Sequence, residues 1–338
     1  MHLTEYLKNR GGKTLVSIEI VPPEKGKSID QIFRAVEELL RFDPAFVSVT
    51  SHAHERVIQR VDGKKVLRIK KKRLDTNAIC LELAARYGIE PLPHIICVGF
   101  TKDETEDALY TLNFHEIDNL LALRGDPPNN QKYKPRSHGH RYASDLVQQI
   151  ADLNNGIYLD PIDNPLKTNF CIGVAGYPER HPEAPDFKTD LRHLKKKVDE
   201  GADYIITQMF FDNSIYYRFL EKARRIGITV PIIPGIKPIY SLKQLTSVPN
   251  SFGVSIPEEF KEEMLRYETR EDVRKLGIEH TVRQCEDLIR NGVPCMHFYT
   301  MSRADPTREI LKQVLGISSR RRSRLKALSR KKKNRICS

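Results

Sequence analysis

Short apolar runs alternate along the chain with longer stretches in which apolar residues recur every three or four positions. The runs cover 14–21, 45–50, 91–98, 119–123, 170–175, 204–209, 230–234 and 296–300. Most are apolar throughout and rich in β-branched residues, which predicts strands covered on both faces. Between them a 3.6-residue period predicts helices over 28–42, 76–87, 105–113, 143–153, 186–200, 214–226 and 307–315. A longer helical insertion over 257–291 precedes the last strand. Gly88 and Gly201 follow two of these helices as C-cap signals. Strand–helix alternation repeated eight times predicts an α/β chain closed as a (β/α)8 TIM barrel. A doubly wound open sheet would carry a glycine-rich dinucleotide turn, and no G-x-G-x-x-G follows any strand.

Composition narrows the setting. The 338 residues are 39% hydrophobic and 30% charged, as in a water-soluble globular protein. No apolar run approaches the roughly 20 residues of a membrane-spanning helix, and residues 1–5 lack the plan of a signal peptide. The expected location is the cytoplasm, with no membrane partner. Cys80, Cys97, Cys171, Cys285, Cys295 and Cys337 form no C-x-x-C pair, so neither a disulfide framework nor a metal site is indicated. Cys97 and Cys171 lie in strand-like runs and read as small buried hydrophobes.

The net charge of +12 is local. Ten basic residues and no acidic one fall between Ser318 and Ser338, leaving the body close to neutral. The expected organisation is a catalytic barrel over 1–317 and a basic, disordered tail over 318–338, which could touch nucleic acid or an anionic surface. A second basic cluster over 64–73 reads as a solvated loop.

In such barrels the ligand site lies at the C-terminal ends of the strands. Those ends present Glu19, Thr50, His94, Arg124 with Asp126, Tyr177, Gln208, Gly235 and Tyr299. A barrel built only for stability would fill these positions with apolar groups, so their coincidence on one rim predicts an active site. Arg124-Gly125-Asp126 puts two charges and an unhindered backbone at the exit of the fourth strand; the plain alternative is a turn closed by an ion pair. Glu19 lies between Ile18 and Ile20, where an apolar wall favours the protonated carboxyl and suits it to donate a proton. Its plain alternative is neutralisation by a basic neighbour such as Arg303. After the fifth strand, residues 175–184 carry Tyr177, His181 and two proline breaks, so an ordered loop is expected. The helix that follows spaces Asp190, His193 and Lys197 on one face, with Lys195 and Lys196 beside them, able to hold a ribose and a pyrophosphate; the plain alternative is a solvated charged face.

With these motifs in order, the chain resembles the methylenetetrahydrofolate reductases of the bacterial, single-domain kind. The likeness spans about 14–315 and rests on Glu19 before Pro22-Pro23, Phe46-Val47-Ser48-Val49-Thr50, Pro93-His94, Leu123-Arg124-Gly125-Asp126, Tyr142-Ala143-Ser144-Asp145-Leu146 and Tyr177-Pro178-Glu179. It continues through His181-Pro182-Glu183-Ala184, Thr207-Gln208, Ile233-Pro234-Gly235-Ile236 and His297-Phe298-Tyr299-Thr300. The resemblance implies a homo-oligomeric flavoprotein that binds FAD non-covalently. NADH or NADPH would reduce the flavin, which in turn would reduce 5,10-methylenetetrahydrofolate to 5-methyltetrahydrofolate by ping-pong hydride transfer. It makes Glu19 the general acid that opens the folate's five-membered ring, and Asp126 a charge beside the flavin and pterin that favours the resulting iminium. FAD contacts would fall to Thr50, His94, Arg124, Gly125, Asp126, Tyr142, Ala143, Ala175, Tyr177, His181, Asp190, His193, Lys196 and Lys197. Folate contacts would fall to Glu19, Asp126, Gln208, Gln244, Tyr299 and Arg303.

His193 replaces a frequent Asn and Lys196 a frequent Arg, and residues 51–73 are longer and more basic than in many relatives. Two other function classes remain. A barrel aldolase or methyltransferase without flavin would need another nucleophile, and no lysine is expected at a strand's last inward position. A nucleic-acid-binding protein would act through its tail.

Overall fold

The structure, a computed structural model, describes residues 1–53, 55–61, 64–70, 72–127 and 133–315. The basic tail, with Cys337, lies outside the described residues.

Eight parallel strands close into a barrel: β1 (Leu15–Ile20), β2 (Val47–Val49), β5 (Pro91–Ile96), β6 (Asn119–Leu123), β7 (Cys171–Gly176), β8 (Tyr204–Met209), β9 (Ile232–Ile236) and β10 (Cys295–Tyr299). Closure is made by β1 against β10, with Glu19 level with Tyr299. The expected fold is therefore present.

Residues 64–73 are not a plain loop. Glu55–Val61 (β3) and Lys64–Lys70 (β4) pair antiparallel, Val57 opposite Arg68 and Gln59 opposite Val66. The legible signal was Asp62-Gly63, a hairpin-turn dipeptide between two β-branched runs, outweighed by the density of charge. The hairpin is tied to the barrel by a bridge between Glu24 and Arg73, whose guanidinium also donates to the Pro22 carbonyl at 2.7 Å.

Other elements differ in extent. The helix Lys102–Phe114 starts earlier than its apolar period because Thr101 and Glu104 form a capping box. The segment before β10 holds three helices, Gln244–Phe252, Glu258–Leu265 and Arg270–Arg290. A further helix, Leu3–Lys8, is too short to show a period; its buried Leu3 and Leu7 join the lower barrel interior. Among the described residues no helix is long and apolar enough to cross a membrane. Cys80, Cys97, Cys171, Cys285 and Cys295 are buried and free.

Strand periodicity sorts the interior into layers. Phe46, Leu92, Cys171, Tyr204, Ile233 and Cys295 share one buried cluster with Leu3 and Leu7. Two or four residues further along the same strands come Ser48 and Thr50, His94, Ala175, Gln208, Gly235 and Lys237, and His297 and Tyr299. The barrel is thus apolar below and polar at its C-terminal mouth.

Candidate active site

Glu19 stands at the end of β1 and is 7% exposed. Its carboxylate Oε2 lies 3.6 Å from His94 Nε2 on β5 and 3.9 Å from His297 Nε2 on β10. Both imidazole nitrogens are buried and lack a hydrogen-bond partner. His297 is oriented from behind: its Nδ1 shares a 2.9 Å hydrogen bond with Ser17 Oγ, and its ring stacks on Phe46 with centroids 5.6 Å apart. Burial pulls the His94 pKa down to about 4, Glu19 opposing and His297 and His52 reinforcing the shift. His94 is therefore neutral near pH 7. Arg303, the basic neighbour in the plain alternative for Glu19, lies exposed and lines another cleft.

Lys237, just past β9, is 8% exposed. Burial lowers its ammonium pKa, while the charge of Glu19 acts in the opposite sense. This corrects the sequence-based expectation that no lysine ends a strand facing inward. Tyr299 stands beside it, donating its hydroxyl to the Thr207 carbonyl at 2.7 Å. A Cβ on Gly235 would lie 2.6 Å from the Tyr299 ring and 2.3 Å from the Thr207 carbonyl, so only glycine leaves this path open.

Asp126 follows β6 and is exposed at the mouth of a cleft of about 400 Å³ that His94, His52, Arg73 and Thr76 also line. Gly125 bends the chain to reach it with φ +78°, and a Cβ there would meet Val98 Cγ1 at 2.6 Å. His52 feels both Glu19 and Asp126, yet burial and Arg73 hold its pKa below the ordinary value.

Arg124 does not pair with Asp126 to close a turn. It makes a bidentate contact with Glu183 at 2.5 and 2.7 Å, and its guanidinium lies 5.0 Å from the centre of the Tyr133 ring. That contact draws in the ordered loop after β7. There Tyr177 and His181 meet edge to face at 4.6 Å, and the His181 backbone N–H donates to Asp190 at 2.9 Å. The helix Phe187–Asp199 supplies Asp190 and Lys197 to this cluster. Lys197 is half-buried and donates to the Ala175 carbonyl at 2.5 Å. Burial lowers its pKa to about 8, with Asp190 opposing. His193 and Lys196 are exposed on the same helix, outside this enclosed group.

Thr50 follows β2 with its Oγ1 buried and unpartnered, while its carbonyl accepts from Thr76 Oγ1 at 2.9 Å. Tyr142 is half exposed at the head of the helix Ala143–Asn154, held by Asp145 at 2.9 Å. Gln208 lies on β8 with its Oε1 accepting from the Met209 N–H at 3.0 Å. Gln244 is further out, its Oε1 accepting from the Tyr240 N–H at 2.9 Å.

Sequence reasoning missed His52, His297, Lys237 and Glu183. The first three were accessible by counting: each lies two residues from a residue already singled out, Tyr299 for His297 on β10, Gly235 for Lys237 just past β9, and Thr50 for His52 in the segment after β2. Glu183 had no local signal, because its partner is 59 residues away.

Together these groups form a mouth with a buried carboxyl near two unpartnered imidazoles, an exposed carboxylate at the end of β6, and a half-buried cation on the helix after β7. Such a set can hydrogen-bond a polar ligand at Glu19 and His94 and bind an anionic group near Lys197.

Comparison with known proteins agrees. The sequence pattern of one family, described as methylenetetrahydrofolate reductase, matches residues 4–315. The 5,10-methylenetetrahydrofolate reductase of Escherichia coli (strain K12) is 33% identical over 93% of this chain and 95% of its own length. A probable methylenetetrahydrofolate reductase (NADH) of Oryza sativa subsp. japonica is 33% identical over 86% of this chain; the chain spans 46% of that relative. A protein from Clostridium thermocellum that binds two copies of 5-methyl-5,6,7,8-tetrahydrofolic acid shares the fold with a TM-score of 0.55. It is 16% identical, with 92% of this chain and 97% of that one covered.

Proposed function

The chain belongs to the methylenetetrahydrofolate reductase family, and we propose that it reduces 5,10-methylenetetrahydrofolate to 5-methyltetrahydrofolate in a ping-pong cycle with NADH or NADPH as donor and FAD as carrier. The observation that carries this reading is Glu19, a carboxyl enclosed at the barrel mouth with two unpartnered imidazole nitrogens within 4 Å. Opening the folate's five-membered ring needs a proton at the departing nitrogen, and an enclosed carboxyl can hold one there. Neutral His94 accepts or donates a single hydrogen bond without adding a competing charge. Asp126, across the mouth, supplies a negative charge that favours a cationic folate intermediate by direct attraction.

The residues fit a flavin dinucleotide. Thr50 Oγ1 and His94 Nε2 are buried polar atoms without partners, and Gly125 leaves a backbone approach that a Cβ would fill. Lys197, a half-buried ammonium near Asp190, suits a pyrophosphate beside a ribose hydroxyl. Gly125, Tyr142, Ala143, Ala175, Tyr177 and His181 would complete the cradle, with His193 and Lys196 at its outer edge. Arg124 would either keep Glu183 or exchange it for a phosphate. When bound, FAD supplies reversible two-electron hydride exchange. Gln208 and Tyr299 would orient the pterin, and Gln244 and Arg303 the remainder of the folate.

The deciding experiment is spectral. The purified protein is expected to be yellow, to bleach under NADH or NADPH, and to recover its colour on addition of methylenetetrahydrofolate. A colourless protein that neither binds FAD nor oxidises a nicotinamide would overturn the reading.

A further inference from the structure

Lys237 is a buried cation to which the reductase reading gives no task. Along β9, Ile232 and Ile236 face the outer core and Ile233 the barrel interior, so alternation carries Gly235 and then Lys237 inward. β10 pairs with β9 at His297 and Gly235, and with β1 at Tyr299 and Glu19. Two residues on from the first of these pairs come Tyr299 and Lys237. Glu19, Tyr299 and Lys237 therefore stand at one height on three adjacent strand lines of the barrel.

Among the described residues the Lys237 ammonium has no hydrogen bond and no carboxylate within the 4 Å of a contact ion pair. An ammonium enclosed in this way is costly, and the charge that acts to keep it protonated is that of Glu19. The other groups facing Glu19 are imidazoles and hydroxyls. From β10 come His297, tied through Nδ1 to Ser17, and Tyr299, whose phenol burial keeps protonated. From β5 comes His94, held neutral by burial, and from the segment after β2 comes His52, lowered in pKa and also felt by Asp126. β2 itself brings Ser48 level with Glu19.

We propose that Lys237 is the counter-charge of Glu19, a positioning residue that steadies the carboxylate left when the acid has given its proton to the folate. The proposal rests on the reductase reading and deepens it. In the step concerned, the bond from the methylene carbon to the departing nitrogen breaks, its electron pair stays on that nitrogen, and the Glu19 proton joins it. The nitrogen ends neutral, the methylene carbon becomes part of an iminium cation, and Glu19 becomes a carboxylate. An ammonium across one strand lowers the energy of that carboxylate. Glu19 then delivers its proton more readily and reloads it less readily as pH rises. Lys237 itself transfers nothing.

The test compares wild type, Lys237→Met and Lys237→Arg as FAD-loaded full-length proteins, with stopped-flow rates of both half-reactions taken across the pH range in which the fold persists. Loss of the cation is expected to move the alkaline fall of the folate half-reaction upward by about one unit. It should also slow the acid plateau by about two- to fivefold, so that the two profiles cross. Lys237→Arg should follow wild type. Independently of turnover, the infrared band of the protonated Glu19 carboxyl, identified by its absence in Glu19→Gln, should persist to higher pH in Lys237→Met. If Lys237→Met does not fold, Lys237→Gln removes the same charge. A band unmoved by loss of the charge, or rates lowered equally at every pH in both half-reactions, would overturn the proposal and leave the reductase reading standing. Wild type that reduces no methylenetetrahydrofolate would bring down the reductase reading, and the infrared titration would still decide whether Lys237 acts on Glu19.

Discussion

Glu19 Oε2 stands 3.6 Å from His94 Nε2, and that ring nitrogen, buried at the barrel mouth, has no hydrogen-bond partner. The two atoms are too far apart to bond each other, and a ligand atom to one side of them can reach both. Replacing the carboxyl by a carboxamide keeps the shape and removes the acid. Glu19→Gln is expected to retain flavin reduction by the nicotinamide and to lose about 10²–10⁴-fold in the folate half-reaction. Stopped-flow absorbance of each half-reaction separates the two; an equal loss in both would mean a structural role.

His94 makes acid stability informative. Its folded pKa, about 4, lies below the ordinary 6.5, so between these values the unfolded chain binds the extra proton. Stability therefore falls as pH drops from 6.5 to 4, and the full penalty is present below that window. His52, His140, His181 and His280 are lowered as well and act in the same direction. Urea titrations across pH 4–7 should show a shallower acid loss for His94→Gln than for wild type, by up to about 1.4 kcal/mol per pH unit.

Lys197 is costly to the unliganded fold. With a folded pKa of about 8 against an ordinary 10.5, its burden is complete below pH 8 and is relieved as pH rises to 10.5. Lys197→Met should raise the melting temperature of the flavin-free protein at pH 7 by about 2–4 °C. The same variant should release FAD more readily, which a fluorescence measurement of free flavin detects. A lower melting temperature would show that the contact to the Ala175 carbonyl outweighs the burial of the charge.

Gly125→Ala combines two faults, a positive φ and a Cβ placed 2.6 Å from Val98. It is expected to destabilise the protein by roughly 1–3 kcal/mol and to displace Asp126. Thermal denaturation and FAD titration of the same preparation would register both effects.

Lys237 offers a check against a Schiff-base aldolase. Under the reductase reading, borohydride in the presence of pyruvate or glyceraldehyde leaves the protein's mass unchanged. A mass increase mapped to Lys237, absent from Lys237→Met, would favour the aldolase.

Much of the fold was legible because barrel strands are local, apolar and regularly spaced, and the period of intervening helices can be counted. Glu19, Thr50, His94, Gln208 and Tyr299 were legible as polar residues at the ends of such runs. The hairpin of β3 and β4 was obscured by its charge, although Asp62-Gly63 announced a turn. The helix Leu3–Lys8 was too short for its period to register.

What the sequence by itself determined was the α/β alternation, the polar residues at the strand ends, and the family. Only the tertiary structure decided who faces whom. Barrel closure brings β1 beside β10, so Glu19 meets His297 from nearly the opposite end of the chain, and Arg124 finds Glu183 rather than its near neighbour Asp126. Periodicity assigns a residue to a face, but electrostatic partners depend on distances through space, which closure of the barrel alone sets.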